Sequence, residues 1–356
     1  MRQEDTRVCL AGMGPAPADG IRGSCAVKVP FTWKPTGWFM VGWSADIAPG
    51  TTKPMYYFGQ HLVAYRTHEG VLHILDAHCR HLGAHLGHGG KVNGDCIECP
   101  YHGWGWGSDG ENKYIPYEDR PNVSQQLKSW TVDERHECIF MWHDPFNGPP
   151  RWELPDIWTV IPHLPSSADD YYPAYPQLSV KYEKEPVHPQ ITLENAPDSV
   201  HFKYVHDATV DPVLIDWKAD GPFYTSIAGW PLPNAKSPDG MAMKINGISC
   251  GVGGSFAIFE GSVHYRLVFF TTPIDDETSD MFYSIWWPRD AGDTSDEVPA
   301  AYRERAKTQF LTTLRDDLEI WRYQIYIETP AFAQQDARPY GALRKWAKQF
   351  YEVEPS

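Results

Sequence analysis

Two short segments, Cys79-Arg80-His81 and Cys99-Pro100-Tyr101-His102, decide how the first half of this chain is read. Each supplies one thiol and one imidazole from a tight loop, with 17 residues between His81 and Cys99. Two Cys and two His are the set required by a [2Fe–2S] centre whose one iron is held by thiolates and whose other is held by neutral imidazoles. Glycines at 83, 87, 89, 90, 94, 103 and 105 surround the pairs, and such loops let backbone N–H groups approach inorganic sulfide. Zinc is the main competitor, because Cys96-x-x-Cys99 has the spacing of a zinc-ribbon half-site. No second Cys-x-x-Cys exists, however, and a single residue between Cys79 and His81 is unusual for zinc. Cys96 therefore reads as a small buried thiol, and Cys79, His81, Cys99 and His102 as the cluster ligands.

Composition agrees with a metalloprotein of ordinary globular character. Of 15 His, eight fall between His61 and His102, with three of the seven Cys. Most of the remaining His read as surface or satisfied strand residues; His85 and His88 lie between the two pairs, but the spacing does not demand them as ligands. The 356 residues carry 31 Lys and Arg against 46 Asp and Glu, a net charge of −15. That balance argues against nucleic acid as the main partner, since phosphate binding needs a basic face. The N-terminus lacks the apolar run of a secretory signal, and no stretch reaches the ~18–20 apolar residues of a membrane span. An odd number of Cys in a long chain fits a reducing, cytoplasmic setting.

Residues 1–30 read as an N-terminal arm, 31–150 as an all-β domain and 151–356 as a second, α+β domain. Strands are expected at Gly37–Trp43, on both sides of Gly59-Gln60 between Met55 and Arg66, at Val71–Leu75, and in a hairpin over Ser129–His143 with Asp133-Glu134-Arg135 at its turn. The Pro- and Gly-rich stretch 145–155 is a connector. In the second domain Leu178–Lys184 alternates, 187–206 carries an interrupted helical pattern, and 241–288 holds several strands. Residues 298–327 form the clearest helix, with Phe310, Leu314, Leu318, Trp321 and Ile325 at three- and four-residue steps.

A second constellation lies in Glu194-Asn195-Ala196-Pro197-Asp198-Ser199-Val200-His201-Phe202-Lys203-Tyr204-Val205-His206. On a helix Asp198 and His201 share a face, whereas His201 and His206 stand roughly 140° apart. Both reach one metal only if the helix ends or distorts between them. Two such His and one carboxylate make a facial triad that leaves positions open on Fe(II) for O₂. Asp317 is the carboxylate that falls on the apolar face of Phe310, Leu314 and Trp321, where it needs a metal or a cation. Asp316 points about 100° away and is solvated.

These residues resemble the oxygenase components of Rieske non-haem iron oxygenases, and among them bacterial 3-ketosteroid 9α-hydroxylase. The resemblance covers nearly all of the chain after the first 30 residues. Its general part rests on the two cluster segments, extended by Gly103-Trp104, and on Asp198-x-x-His201-x-x-x-x-His206. Its steroid-specific part rests on Asp317-Leu318-Glu319-Ile320-Trp321 and on Leu343-Arg344-Lys345-Trp346-Ala347-Lys348-Gln349-Phe350-Tyr351. Respiratory-complex Rieske proteins staple the two loops with a disulfide, for which Ala84 and Tyr101 offer no sulfur here.

The resemblance implies a catalytic domain of helix-grip type, with a curved antiparallel sheet and flanking helices. It implies a head-to-tail homotrimer in which Asp198 bridges His102 of one subunit to His201 of the next. It also implies a separate flavin and iron–sulfur reductase that draws electrons from NAD(P)H, with O₂ as cosubstrate. The activity expected is hydroxylation of a large apolar substrate such as a 3-ketosteroid, within steroid metabolism and lipid degradation. Sterol desaturation or O- or N-demethylation on the same site is an alternative outcome. A Rieske electron-transfer protein with a ligand-binding second domain is an alternative of another class. Of the aromatic residues Trp217, Phe223, Tyr224, Trp230, Phe256, Phe259 and Phe269, some could line the substrate pocket, although most are expected in the core.

Overall fold

The computed structural model describes residues 29–232 and 237–351. The N-terminal arm lies outside these residues except for its last two positions. The first half is built of strands: β1 (Gly37–Trp43), β2 (Thr52–Tyr57), β3 (Gln60–Arg66), β4 (Leu72–Asp76), β5 (Lys91–Asn93), β6 (Cys96–Glu98), β7 (Gly105–Trp106), β8 (Asn112–Tyr114), β9 (Ser129–Trp130), β10 (Val132–Arg135) and β11 (Cys138–His143). They form three sheets, ordered β1-β11-β10, β2-β3-β4-β9 and β5-β6-β7-β8. The expected strands are present. The expected turn of the last hairpin is displaced, because Asp133-Glu134-Arg135 belongs to β10 and pairs with β11. The chain reverses at His136 and Glu137, with φ of 52° and 61°. Neither residue is Gly, so the usual signature of a turn with positive φ was missing.

The second half holds β12 (Ser179–Glu185), α1 (Pro189–Leu193), α2 (His201–Tyr204), β13 (Val213–Asp220), β14 (Phe223–Pro231), β15 (Met241–Cys250), β16 (Gly254–Gly261), β17 (Tyr265–Pro273), β18 (Ser279–Trp286), α3 (Ala300–Leu311), α4 (Thr313–Trp321) and α5 (Ala337–Ala347). Its seven strands make one antiparallel sheet in the order β12-β18-β17-β16-β15-β14-β13. The sheet is open, with β12 and β13 as its edges; neither it nor any smaller sheet among the described residues closes on itself. The single helix expected over 298–327 is two helices, broken at Thr312 (φ −111°, ψ −74°), and the helical turn ends at Trp321. Phe310, Leu314, Leu318 and Trp321 are buried as the periodicity requires, whereas Ile325 lies beyond the break in helical structure and is exposed.

Two cores result. One is local to the cluster loops and gathers Val63, Leu75, Leu86, Ile97, Trp104 and Trp106. The other crosses between the halves: Trp38, Phe39 and Phe140 from the first half join Phe256, Phe270 and Phe282 from the large sheet. Phe140 meets Phe270 edge-on at 5.0 Å. Trp43 stacks on Tyr175 and donates its indole N–H to Ser284 at 2.9 Å. At 25–30 cal/mol per Å² of apolar surface, a shared aromatic core of this kind fixes the two halves against each other.

Candidate functional site

The two cluster segments fold into copies of one loop. In the first, Gly83 N–H donates to Cys79 O at 2.9 Å and Cys79 N–H to Ala84 O at 2.9 Å. In the second, Gly103 N–H donates to Cys99 O at 3.0 Å and Cys99 N–H to Trp104 O at 2.9 Å. Both loops turn at a glycine with positive φ, 78° at Gly83 and 69° at Gly103, which other residues reach only at a cost. The loops face each other. The His81 and His102 rings lie 4.7 Å apart, and His81 stacks flat on Trp104 at 4.6 Å.

Cys79 and Cys99 are both buried. Burial pushes the Cys79 thiol up, and the neighbouring Cys99 adds to the shift, although the His81 backbone N–H and the Trp106 indole act against it. The Trp106 indole N–H reaches Cys79 Sγ at 3.3 Å, and His81 Nδ1 is buried without a hydrogen-bond partner. Two adjoining buried thiols and an orphaned imidazole nitrogen are costly unless an electrophile collects them, so the donor set fits a Cys₂His₂ iron–sulfur group. Cys96 stands in β6 among Asp95, Asp109, Lys113 and Glu98, which is no thiolate-rich zinc environment. Tyr101 and Leu82, at the loop tips, are each 64% exposed.

The second constellation assembles from remote pieces. Asp198 is not on a helix with His201, as the spacing suggested; it precedes α2, and its Oδ1 accepts from the N–H groups of Val200 (3.0 Å) and His201 (3.1 Å). Pro197 has no N–H to donate and biases Ala196, the residue before it, away from helix. His201 Nδ1–H donates to the Asp198 carbonyl at 2.8 Å, which leaves the Nε2 lone pair free. Helix α2 ends at Tyr204, so His206 swings back, and the two rings lie 5.3 Å apart.

Asp317 comes from α4, on the buried face with Leu314 and Trp321. One donor atom from each of His201, His206 and Asp317 lies within 4.8 Å of the others. His206 Nε2 is 3.2 Å from Asp317 Oδ1, yet neither ring nitrogen of His206 makes an aligned hydrogen bond, although both are buried. These lone pairs converge on a point between the three groups, as ligands to one metal do. Asp316 is exposed, as expected.

Electrostatics reinforce the arrangement. Burial alone would pull His201 down, but the hydrogen bond and charge of Asp198, with Asp317 behind, raise it above the ordinary imidazole value. Burial would raise Asp198, but hydrogen bonds from His201 and from the Tyr340 hydroxyl hold it below the ordinary carboxyl value. Tyr340 was not singled out in the sequence. It comes from α5, and nothing local marks it as a partner of Asp198. Nor was the buried pair of Arg344 with Glu194, at 2.7 Å, which ties α5 to the end of α1 just before this segment.

His201, His206 and Asp317 line a cavity of about 190 Å³. Its floor is the inner face of the large sheet at every second residue: Ser226 and Ala228 of β14, Gly247 and Ser249 of β15, Ser255 and Ala257 of β16. These residues sit beside one another in register, Ser226 with Gly247, Gly247 with Ala257, Ser249 with Ser255. The same sheet face turns bulky at Phe269 of β17 and Tyr283 of β18, and Leu314 and Trp321 of α4 supply the other wall. Of the aromatic residues expected to line a pocket, Phe256, Phe259 and Phe269 do so. Trp217 and Tyr224 instead stack near α5, Phe223 packs against the main core, and Trp230 meets Phe202 edge-on. A second cavity, about 470 Å³, shares Phe259, Gln309 and Thr313 with the first.

Comparison with known proteins agrees with this geometry. The sequence model of the Rieske [2Fe-2S] domain matches residues 37–131, and that of the 3-Ketosteroid 9alpha-hydroxylase C-terminal domain matches residues 141–351. The 3-ketosteroid-9-alpha-monooxygenase oxygenase component of Mycolicibacterium smegmatis is 29% identical over 335 residues, covering 88% of this chain and 82% of that protein. Cholesterol 7-desaturase nvd 1 of Ciona intestinalis is 34% identical over 172 residues, covering 48% of this chain and 34% of that protein. In fold, the chain is similar to dicamba monooxygenase, with a TM-score of 0.64, 16% identity, and coverage of 90% of this chain and 98% of that one. Matched along both halves, the chain belongs to the 3-ketosteroid 9α-hydroxylase family of Rieske oxygenase components.

Proposed function

We propose that this oxygenase component hydroxylates a steroid-like substrate, with a [2Fe–2S] group on Cys79, His81, Cys99 and His102 and a mononuclear Fe(II) on His201, His206 and Asp317. The observation that carries the reading is the convergence of those last three side chains, with neither His206 nitrogen in an aligned hydrogen bond, on the wall of an apolar cavity. When bound, the cluster supplies single electrons and the ferrous ion supplies O₂ activation at open coordination positions.

The chain's own residues do the rest. Asp198 O fixes the His201 tautomer, so that Nε2 faces the cavity. Asp317 adds one negative charge at a site where an unpaired carboxylate would be costly. The bulky walls exclude water, and the small residues of β14–β16 leave room for a flat ring system. A cavity of 190 Å³ is smaller than the ~300–1,000 Å³ usual for small-molecule sites; an open surface pocket of about 470 Å³ that shares Phe259, Gln309 and Thr313 with it supports a substrate reaching towards the surface. Helix α4, laid across the inner sheet face, supports the helix-grip reading.

In the same reading residues 31–150 form the cluster domain and 151–356 the catalytic domain. Asp198 carries electrons between subunits of a head-to-tail trimer. A separate flavin and iron–sulfur reductase supplies those electrons from NAD(P)H. The exposed Tyr101 and Leu82 beside His102 and His81 support such an inter-subunit contact. No helix of the described residues is long and apolar enough to cross a membrane. The free thiols of Cys96, Cys138 and Cys250 support a reducing, cytoplasmic setting.

The test is iron content with turnover. The loaded chain should hold about three iron atoms, two in the cluster and one beside it. Asp317→Ala should retain the cluster's visible absorption, fall to about two irons, and lose product formation. Full turnover in that variant would overturn the ligand assignment, and two irons in the parent would favour an electron carrier. The Ciona relative favours desaturation as a second outcome on the same site. Product mass separates the two, since hydroxylation adds one oxygen atom and desaturation removes two hydrogens.

A further inference from the structure

Residues that lose electrons readily run from the cavity of His201, His206 and Asp317 to the protein surface. Tyr283 lines that cavity. In the register of β17 with β18, Phe269 stands opposite Tyr283 and Leu267 opposite Ile285. Side chains alternate along a strand, so Tyr265 and Trp287 share this face with Tyr283. Gln309 links the two tyrosines: its Nε2–H donates to Tyr265 OH at 3.1 Å, and the same side chain reaches the Tyr283 hydroxyl. The Tyr265 and Trp287 rings are 4.7 Å apart. Trp287 stacks on Tyr302 at 5.6 Å and 15°, and Tyr302 lies 5.7 Å from Tyr172. Tyr283 is buried, whereas Tyr302 is half-buried beside the exposed Asp290.

Packing alone does not account for this line. Trp287 Nε1–H is buried without a hydrogen-bond partner among the described residues, at a cost of about 1–3 kcal/mol that a Phe in its place would not incur. The outer end is built differently. Tyr302 OH donates to Asp290 Oδ1 at 2.6 Å, and Tyr172 OH donates to Asp293 Oδ2 at 2.6 Å. A phenol sheds its proton as it loses an electron, and a carboxylate already bonded to it takes that proton and eases the oxidation. Trp287 has no such acceptor. Arg305 stands 5.9 Å over Trp287 and 5.8 Å over Tyr302, which disfavours a positive charge on either ring. Tyr302 stays neutral by passing its proton to Asp290, so a radical comes to rest there and not on Trp287.

We propose that Tyr283, Tyr265, Trp287 and Tyr302 form a protective route that carries oxidising equivalents out of the cavity when O₂ is reduced with no substrate in place; the inference rests on the function proposed above. In each pass one electron moves inward from Tyr302 through Trp287, Tyr265 and Tyr283, while the Tyr302 proton moves to Asp290. A thiol in solution gives the electron that restores Tyr302, and Asp290 returns the proton. The thiol ends as half of a disulfide, and the proton it releases balances the one taken up as oxygen is reduced to water. Without the route, the oxidising equivalent would attack the cavity walls.

The experiment mixes iron-loaded protein, its cluster chemically reduced, with O₂ in the absence of steroid. Samples are freeze-quenched for electron paramagnetic resonance, and oxidised peptides are mapped by mass spectrometry. The parent should show a tyrosyl signal that narrows when ring-deuterated tyrosine is supplied, and that signal should be absent from Tyr302→Phe. Trp287→Phe should cut the signal several-fold and raise oxidation of the peptides carrying Phe269 and Tyr283 several-fold. First-turnover hydroxylation should be unchanged in Tyr302→Phe. No tyrosyl signal in a parent that holds its full iron and hydroxylates steroid would overturn the route and leave the proposed function standing, as would a signal and an oxidation map unaltered in both variants. A parent lacking the third iron and product would overturn both. If Trp287→Phe fails to keep its iron, the signal in Tyr302→Phe decides alone.

Discussion

Replacing Arg344 by Met should destabilise the chain severely, although Arg344 touches neither centre. Its guanidinium makes a two-pronged pair with Glu194, at 2.9 and 2.7 Å, and the two side chains are only 13% and 8% exposed. It also donates to Ile327 O at 2.6 Å and lies 4.3 Å over the Tyr326 ring. Removing one partner of a buried pair strands the other charge, at a cost of about 3–5 kcal/mol; the lost ring contact adds ~0.5–1 kcal/mol. Gln190 Nε2 remains 3.2 Å from Glu194 and offsets a part, so the lower end of that range is expected. At roughly 2–4 °C per kcal/mol for domains of 150–250 residues, the melting temperature should fall by about 6–12 °C. Glu194 stands four residues before Asp198, so occupancy of the mononuclear centre should fall with it while the cluster's absorption persists.

The double variant Arg344→Met/Glu194→Met discriminates the cause. Two apolar side chains of similar volume leave no stranded charge, and such replacements are often neutral, so most of the lost stability should return. Thermal unfolding followed by near-ultraviolet circular dichroism, with iron counted in the same samples, measures both effects. A single variant within ~1 kcal/mol of the parent, or a double variant no better than the single, would refute the reasoning.

Asp198→Asn should leave both metal centres loaded yet stop electron passage between them, read as slow reoxidation of the pre-reduced cluster under O₂ and substrate; rapid reoxidation would remove the bridge. Trp106→Phe deletes the N–H that reaches Cys79 Sγ, and because hydrogen bonds to cluster sulfur stabilise the reduced form, the midpoint potential should fall by roughly tens of millivolts, measured by redox titration. His143 is held down to about 4, first by burial, from an ordinary 6.5. The unfolded chain therefore takes up this proton first, and the stability involved is present above pH 6.5 and lost as the pH falls towards 4. His143→Gln should flatten part of that decline in melting temperature; His188 and His136, also held to about 4, sustain the remainder.

The cluster half was legible because its chemistry is local. Two loops of a few residues each carry a thiol, an imidazole and a glycine with positive φ, and spacing along the chain nearly determines spacing in space. The place of Asp317 on the buried face of α4 was legible for another reason: it falls in the same helical stripe as Phe310, Leu314 and Trp321. The geometry around Asp198 was misread as helix because a three-residue interval suits both a helix and a capping loop, and only Pro197 hints at the latter. Strand β13 gave no signal at all, since it is a largely exposed edge whose burial does not alternate. Tyr340 and Arg344 act on Asp198 and Glu194 from more than 140 residues away, and no local pattern encodes a partner at that distance.

The contrast between the two centres bears on what selects the reaction. The cluster loops repeat one backbone pattern, and the proposed iron ligands His201, His206 and Asp317 are aligned by a carbonyl, a helix end and a helix face, so neither leaves much to vary with substrate. The cavity does. Its volume exists because one face of a buried sheet carries Ser226, Ala228, Gly247, Ser249, Ser255 and Ala257 where large apolar residues would ordinarily pack. An added Cβ at Gly247 would come within 3.1 Å of Ser226 Oγ, so even this small side chain presses on the floor. In the proposed function, which carbon stands near His201, His206 and Asp317, and hence whether an oxygen is inserted or two hydrogens are removed, would be set by how far a flat substrate slides over that floor towards Phe269 and Trp321. Enlarging the floor residues one at a time should change regiochemistry or product type well before it changes metal content, because the floor strands β14–β16 and the ligand-bearing elements α2 and α4 are separate parts of the chain.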